Sequence, residues 1–126
     1  MKSWVIVIIG IALFLLLGCA GQNYLNTSSQ TLVRQLDSVQ SALSRKNWDE
    51  TFRLMQSFQQ DWAKTRKLWA VLTHHEEIDN VDQALTKTRE AILTQSYSDA
   101  RMEMETLRHF IMHIAERERF SLVNIF

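Results

Sequence analysis

Apolar and polar positions divide the chain into one unbroken apolar run followed by a long stretch of periodic mixture. From Trp4 to Ala20 no residue is charged, and the run closes on Leu16-Leu17-Gly18-Cys19. Beyond it, Leu25, Leu32, Leu36, Val39 and Leu43 recur at three-, four- and seven-residue spacings, the stripe of an amphipathic helix. Ser44-Arg45-Lys46-Asn47 interrupts that stripe, and Asn47 with Glu50 three residues later is a helix-start signal. The next segment places Trp48, Met55, Trp62 and Trp69 seven apart, flanked by Phe52, Phe58 and Leu72. A seven-residue repeat holds one seam toward a partner helix, so this line predicts core rather than an aromatic binding surface.

A second seven-spaced line runs Val71, Ile78, Leu85 and Ile92. A single helix from 47 to 95 would be about 73 Å long, too long for a domain of this size. The pattern therefore predicts a break between Leu72 and Glu76, and a third helix from near Thr73 to near Gln95. Ser96 and Asp99 open a fourth, whose apolar face reads Ala100, Met104, Leu107, Ile111 and Ile114 with Phe110 beside it. The turn between Ala42-Leu43 and Asn47-Trp48 resembles that between Ala91-Ile92 and Ser96-Tyr97, at an offset of 49 residues. Two helical hairpins follow, and with them an all-α fold: an N-terminal hydrophobic helix or signal, then an antiparallel four-helix bundle.

Composition narrows the classes. Lysine plus arginine equals aspartate plus glutamate at 14 each, so no net field draws in nucleic acid. Proline is absent, and the glycines are Gly10, Gly18 and Gly21 only, so nothing strongly breaks a helix beyond residue 21. The one cysteine, Cys19, leaves no disulfide and no thiolate metal site in the remainder.

The apolar run has two readings. Lys2, the apolar Val5–Leu17 stretch and a small residue before Cys19 form the pattern of a bacterial lipoprotein signal, with Cys19 lipidated after cleavage. Leu17, two before the cysteine, departs from the usual small residue there. The other reading is an uncleaved anchor: 17 residues reach about 26 Å, near the roughly 30 Å hydrocarbon core. Both divide the chain into residues 1–22, signal or anchor with a short polar tether, and 23–126, a helical domain. Both place the domain outside the cytoplasm and make the membrane its first partner.

Candidate chemistry is sparse. His75 and Asp79 stand one helical turn apart, as do His109 and His113, and such pairs can share an ion. His109 and His113 lie opposite Leu107 and Ile114, however, so they are expected to face solvent. His75, Asp82 and Arg89 are also seven apart beside the Ile78 line, where they predict a polar network that sets helix register, with Glu118 as a partner for Arg89 or His75. No phosphate-cradling glycine loop, serine elbow or haem-attachment motif is present. No catalytic residue, cofactor or resident metal is expected.

Trp69-x-x-Leu72-x-x-His75-x-Glu77-Ile78-Asp79, with the ending Phe120-Ser121-Leu122-x-Asn124-Ile125-Phe126, resembles the domain-of-unknown-function 4363 family. The resemblance covers nearly the whole chain, and its most specific parts are the His-x-Glu-Ile-Asp segment and the C-terminus. It implies a small bacterial protein, mostly of Firmicutes, with one hydrophobic segment and an all-helical remainder, and no established activity. Members usually keep the segment as an anchor without a lipobox cysteine, so Cys19 is a departure. The resemblance also implies a possible multi-pass membrane protein as partner.

The expected function is thus non-catalytic: an interaction or accessory subunit of a membrane protein, with His75/Glu77/Asp79 and Asn124, Ile125 and Phe126 as contact regions. The alternative is a metal- or pH-responsive sensor that uses the histidines. The oligomeric state is not legible in the sequence.

Overall fold

A computed structural model describes the backbone of residues 1–125 and the side chains of residues 1–118. Four helices are present: α1 Lys2–Ser44, α2 Trp48–Leu72, α3 His75–Leu93 and α4 Tyr97–Ile125. Each packs on its neighbours in the chain, and α4 returns to α1, while α1/α3 and α2/α4 lie across diagonals. Short turns between successive helices make this an up-down-up-down bundle.

The periodic stripes build the core. Leu25, Leu32, Leu36, Val39 and Leu43 of α1 are buried, as are Met55, Phe58, Trp62 and Trp69 of α2. Ile78, Leu85 and Ile92 come from α3, and Ala100, Met104, Leu107, Ile111 and Ile114 from α4. Trp48 is only half-buried, since it stands in the first turn of α2 at the bundle's end. Trp62 and Trp69 meet edge to face, ring centroids 5.4 Å apart at 90°. The Trp69 indole N–H donates to Ser28 Oγ at 2.8 Å, and that hydroxyl donates to the Tyr24 carbonyl at 2.6 Å. This chain satisfies the one polar atom of a fully buried indole.

Val71 breaks the expected second line. It belongs to α2, which ends at Leu72, and is 81 % exposed. Seven-residue counting carries no meaning across a change of helix, so only Ile78, Leu85 and Ile92 share the seam.

The break itself falls where helix length requires it, at Thr73 and His74. The two other turns are copies of each other. Lys46 N–H donates to the Leu43 carbonyl and Asn47 N–H to that of Ala42; Gln95 and Ser96 do the same to Ile92 and Ala91. These are the paired bonds of a Schellman ending, and Lys46 and Gln95 hold its left-handed position at φ 56° and 54°. Asn47 then caps α2 through Glu50 N–H, and Ser96 Oγ donates to Asp99 at 2.8 Å. A left-handed conformation costs a residue with a Cβ about 1 kcal/mol that glycine avoids. Gln95→Gly is therefore expected to stabilise the bundle by roughly 0.5–1 kcal/mol, readable as a higher denaturant midpoint at unchanged slope.

The polar tether expected around Ala20–Asn23 is instead helix. α1 runs through residue 22 without a break and spans about 65 Å. Within this stretch the Thr27 carbonyl accepts from the Thr31 hydroxyl one turn later. With no proline in the way, one helical glycine costs only about 1 kcal/mol, which the packing of Leu25 beyond it offsets. Gly21 also serves the packing, because a Cβ there would stand 3.0 Å from Leu72 Cδ2. The α2/α3 turn therefore lies directly against α1 at the foot of the bundle. Below this level the apolar segment projects alone, with Trp4 to Leu17 exposed.

Candidate functional site

Two features rise above the packed bundle: the projecting apolar segment and a polar groove between α3 and α4. By length and composition α1 is the one helix among the described residues that can cross a membrane. Cys19 is exposed on it, two residues before the Gly21–Leu72 contact. The same element thus carries the candidate lipidation site and the first turns of the bundle.

The groove encloses about 530 Å³ and is lined by His74, Glu77, Asn80, His109, His113 and Arg117 among others. Helical spacing produces it. His109, His113 and Arg117 stand four apart on one side of α4, while Glu77 and Asn80 project from the first turns of α3. The His109 and His113 rings stack with centroids 5.8 Å apart. Both are exposed, as their position opposite Leu107 and Ile114 requires. Among the described residues, no set of three or more His, Cys, Asp or Glu side chains is placed to hold a metal ion.

Glu77 is the buried ionisable group of the groove. It is 8 % exposed and is paired through Oε1 with the Arg117 guanidinium, while its Oε2 is buried with no partner. Removing a charge partner from such a carboxylate leaves its desolvation uncompensated, so Arg117 holds α3 and α4 in register. Three consecutive alternating positions therefore do different things. His75 and Asp79 are exposed on α3, whereas Glu77 turns inward. The expected contact segment His75/Glu77/Asp79 is not one surface.

The expected polar line is also divided. Asp82 is half-buried and is the hub: it accepts from Trp62 Nε1 at 2.8 Å and from Arg66 Nε at 2.9 Å. Arg66 Nη2 adds a second contact at 2.9 Å, making a two-pronged pair. Asp82 raises the Arg66 pKa above its ordinary value, first through the hydrogen bond and then through charge. The contribution of a raised cationic group is present below its ordinary pKa and lost only as pH rises through the folded value. At neutral pH, far below the guanidinium range, the arginine's contribution to this tie is fully present. His75 and Arg89, seven residues to either side, are exposed and take no part in this tie. Glu118 pairs with neither of them. Its Oε1 accepts from Thr73 Oγ1 at 3.3 Å, bringing α4 to the α2/α3 turn. Sequence periodicity identified Asp82; it missed Trp62 and Arg66 as partners because they lie on another helix. Asn124, Ile125 and Phe126 fall outside the residues whose side chains are described.

A shallow concavity of about 660 Å³ follows one side of α4 from Tyr97 to His109 and is lined by that helix alone. It assembles no constellation of reacting groups.

The model of the family described as Domain of unknown function (DUF4363) matches residues 19–125. The chain belongs to this family. The match begins at Cys19, so the bundle is the shared part and most of the apolar run lies before it. The family description assigns no activity, and the groove and the Asp82 tie stand on geometry alone. No curated protein and no solved structure matches the chain.

Proposed function

We propose that this DUF4363 member is a membrane-tethered, extracytoplasmic helical protein that acts by binding, as an accessory subunit of a membrane protein, and not by catalysis. The observation that supports this most directly is the apolar segment. Trp4 to Leu17 bury nothing in the bundle, while the bundle's own stripes are fully occupied with each other. An exposed apolar surface on that scale requires lipid or a partner around it.

Cys19 is the proposed lipidation site. Its acyl chains would then sit two residues before the first bundle contact, at Gly21. An uncleaved α1 would hold the bundle at the same height, as a rigid continuation of the spanning helix. Either tether leaves the bundle close to the bilayer, within reach of the extracytoplasmic loops of a multi-pass protein.

The α3/α4 groove is the proposed contact region, with Glu76, Asn80, His109 and His113 along its walls, while exposed His75 and Asp79 offer a separate surface on the other side of α3. The test is site-directed photocrosslinking in native membranes, with the photoreactive residue at Glu76 or His113. The expected result is a discrete adduct containing one membrane protein, lost when the probe is moved to Gln56 on the opposite side of the bundle. Equal, diffuse labelling from all three positions would remove the accessory-subunit reading.

A further inference from the structure

Among the described residues outside the N-terminal segment, the most exposed large apolar side chain lies on the outward face of α2 near its C-terminus. Val71 is 81 % exposed and Leu68 is 52 % exposed. At about 100° per residue, Lys64 and Lys67 share that face, opposite the Trp62/Trp69 core line. Lys64 and Lys67 form no ion pair among the described residues. From Trp62 to His75 the chain contains Lys64, Arg66 and Lys67 and no acidic residue. The surface is therefore both apolar and locally cationic in a chain with no net charge.

Its position gives this composition a meaning. Leu72, the next residue after Val71, packs on Gly21, four residues after the last leucine of the apolar run. Four residues of helix are about 6 Å. Val71 therefore sits beside the point where α1 enters the membrane, and Lys67 and Lys64 follow one and two turns farther out. This holds for both tethers, since Cys19 is nearer still to Gly21. Apolar side chains at the boundary with lysines above them suit a helix end that meets the bilayer, the lysine stems reaching toward the headgroups.

We infer that the C-terminal turns of α2 rest on the bilayer, Val71 and Leu68 entering the interface and Lys64 and Lys67 meeting anionic phospholipid headgroups. The bundle would then be held against the membrane by two points, the N-terminal tether and this face. Its α3/α4 groove would take a defined orientation as a consequence. The inference rests on the tether reading above and adds the docked orientation to it.

The test uses the full chain, with Cys19→Ser, inserted through its apolar segment into vesicles of phosphatidylcholine with phosphatidylglycerol. An environment-sensitive fluorophore is attached at Val71→Cys or, at the far end of α1, at Ser44→Cys. Ser44 is about 35 Å along the helix from Gly21. A nitroxide-headgroup lipid serves as quencher, and flotation of the vesicles reports the tether separately. The expected result is co-flotation with quenching at position 71 at least about threefold that at position 44. Lys64→Glu with Lys67→Glu should reduce quenching at 71 to the level at 44, as should neutral vesicles without phosphatidylglycerol. Co-flotation with equal quenching at both sites would overturn the docked orientation and leave the face to a protein partner. Quenching at 71 that ignores both the lysines and the lipid charge would overturn the role given to anionic headgroups. Failure to float would overturn the apolar segment as a tether, and with it the docked orientation inferred from that tether.

Discussion

Replacing Trp69 with alanine is expected to destabilise the bundle by about 3–5 kcal/mol. Trp69 has no exposed surface, packs edge to face on Trp62 and sits where α2 crosses the lower part of α1. The substitution opens a cavity and removes the donor to Ser28, whose hydroxyl keeps its bond to the Tyr24 carbonyl. Small domains are stable by about 5–15 kcal/mol in total, so the loss is a large fraction of the whole. Urea unfolding of the full chain in detergent, followed by circular dichroism, reads it as a fall in midpoint. Trp69→Phe separates the two contributions: it keeps most of the apolar volume and loses the indole donor, and a smaller loss is expected. A loss below about 1 kcal/mol for Trp69→Ala would mean that the site collapses or is already wet, contrary to the packing described.

The second large effect belongs to the apolar segment. Ile9→Arg combined with Leu13→Arg places two charges at its centre. Each costs about 2.5–3.5 kcal/mol for insertion, together about 5–7 kcal/mol. The double variant is expected to move from the membrane fraction to the soluble fraction. The bundle should fold unchanged, because Ile9 and Leu13 are exposed and touch none of its core. Helical circular dichroism of the bundle and its denaturant midpoint are the control. A variant that remains membrane-bound would show that another element carries the attachment.

Much of this architecture is legible in the sequence because the information is local. Periodicity located the buried positions of α1 and α4, and Asn47 and Ser96 marked the starts of α2 and α4. The 49-residue offset anticipated two turns whose backbone hydrogen bonds correspond pair by pair. The misplacements share a cause. Gly21 reads as a break when judged by propensity, yet α1 continues through it, and Leu72 packs where a Cβ would stand. Val71 fits a heptad by counting, but the helix ends one residue later and leaves it outside. Glu118 reads as a polar partner for Arg89 or His75 from its place on the inner side of α4. Its choice of Thr73 over Arg89 depends on the level at which α4 meets the α2/α3 turn, which no spacing within α4 records.

The functional features divide the same way. The apolar run ending at Cys19 is a property of consecutive residues, and the DUF4363 match beginning there coincides with it. The α3/α4 groove is assembled from residues about 30 to 40 positions apart, and Glu77, which shares the buried Val81–Ala84–Thr88 side of α3, finds its charge partner Arg117 on the other helix. Sequence alone grouped Glu77 with His75 and Asp79 by adjacency. The three-dimensional arrangement separates an inward ion pair between α3 and α4 from the exposed side chains of His75 and Asp79.

The central claim is a helical bundle held on the outer face of the membrane by the segment that ends at Cys19. Its most direct test is protease treatment of washed, intact protoplasts that express the full chain. The expected result is a chain that sediments with membranes, whose bundle is digested from outside while a cytoplasmic marker stays intact. A bundle protected until the protoplasts are lysed, or recovered in the soluble fraction, would contradict the claim.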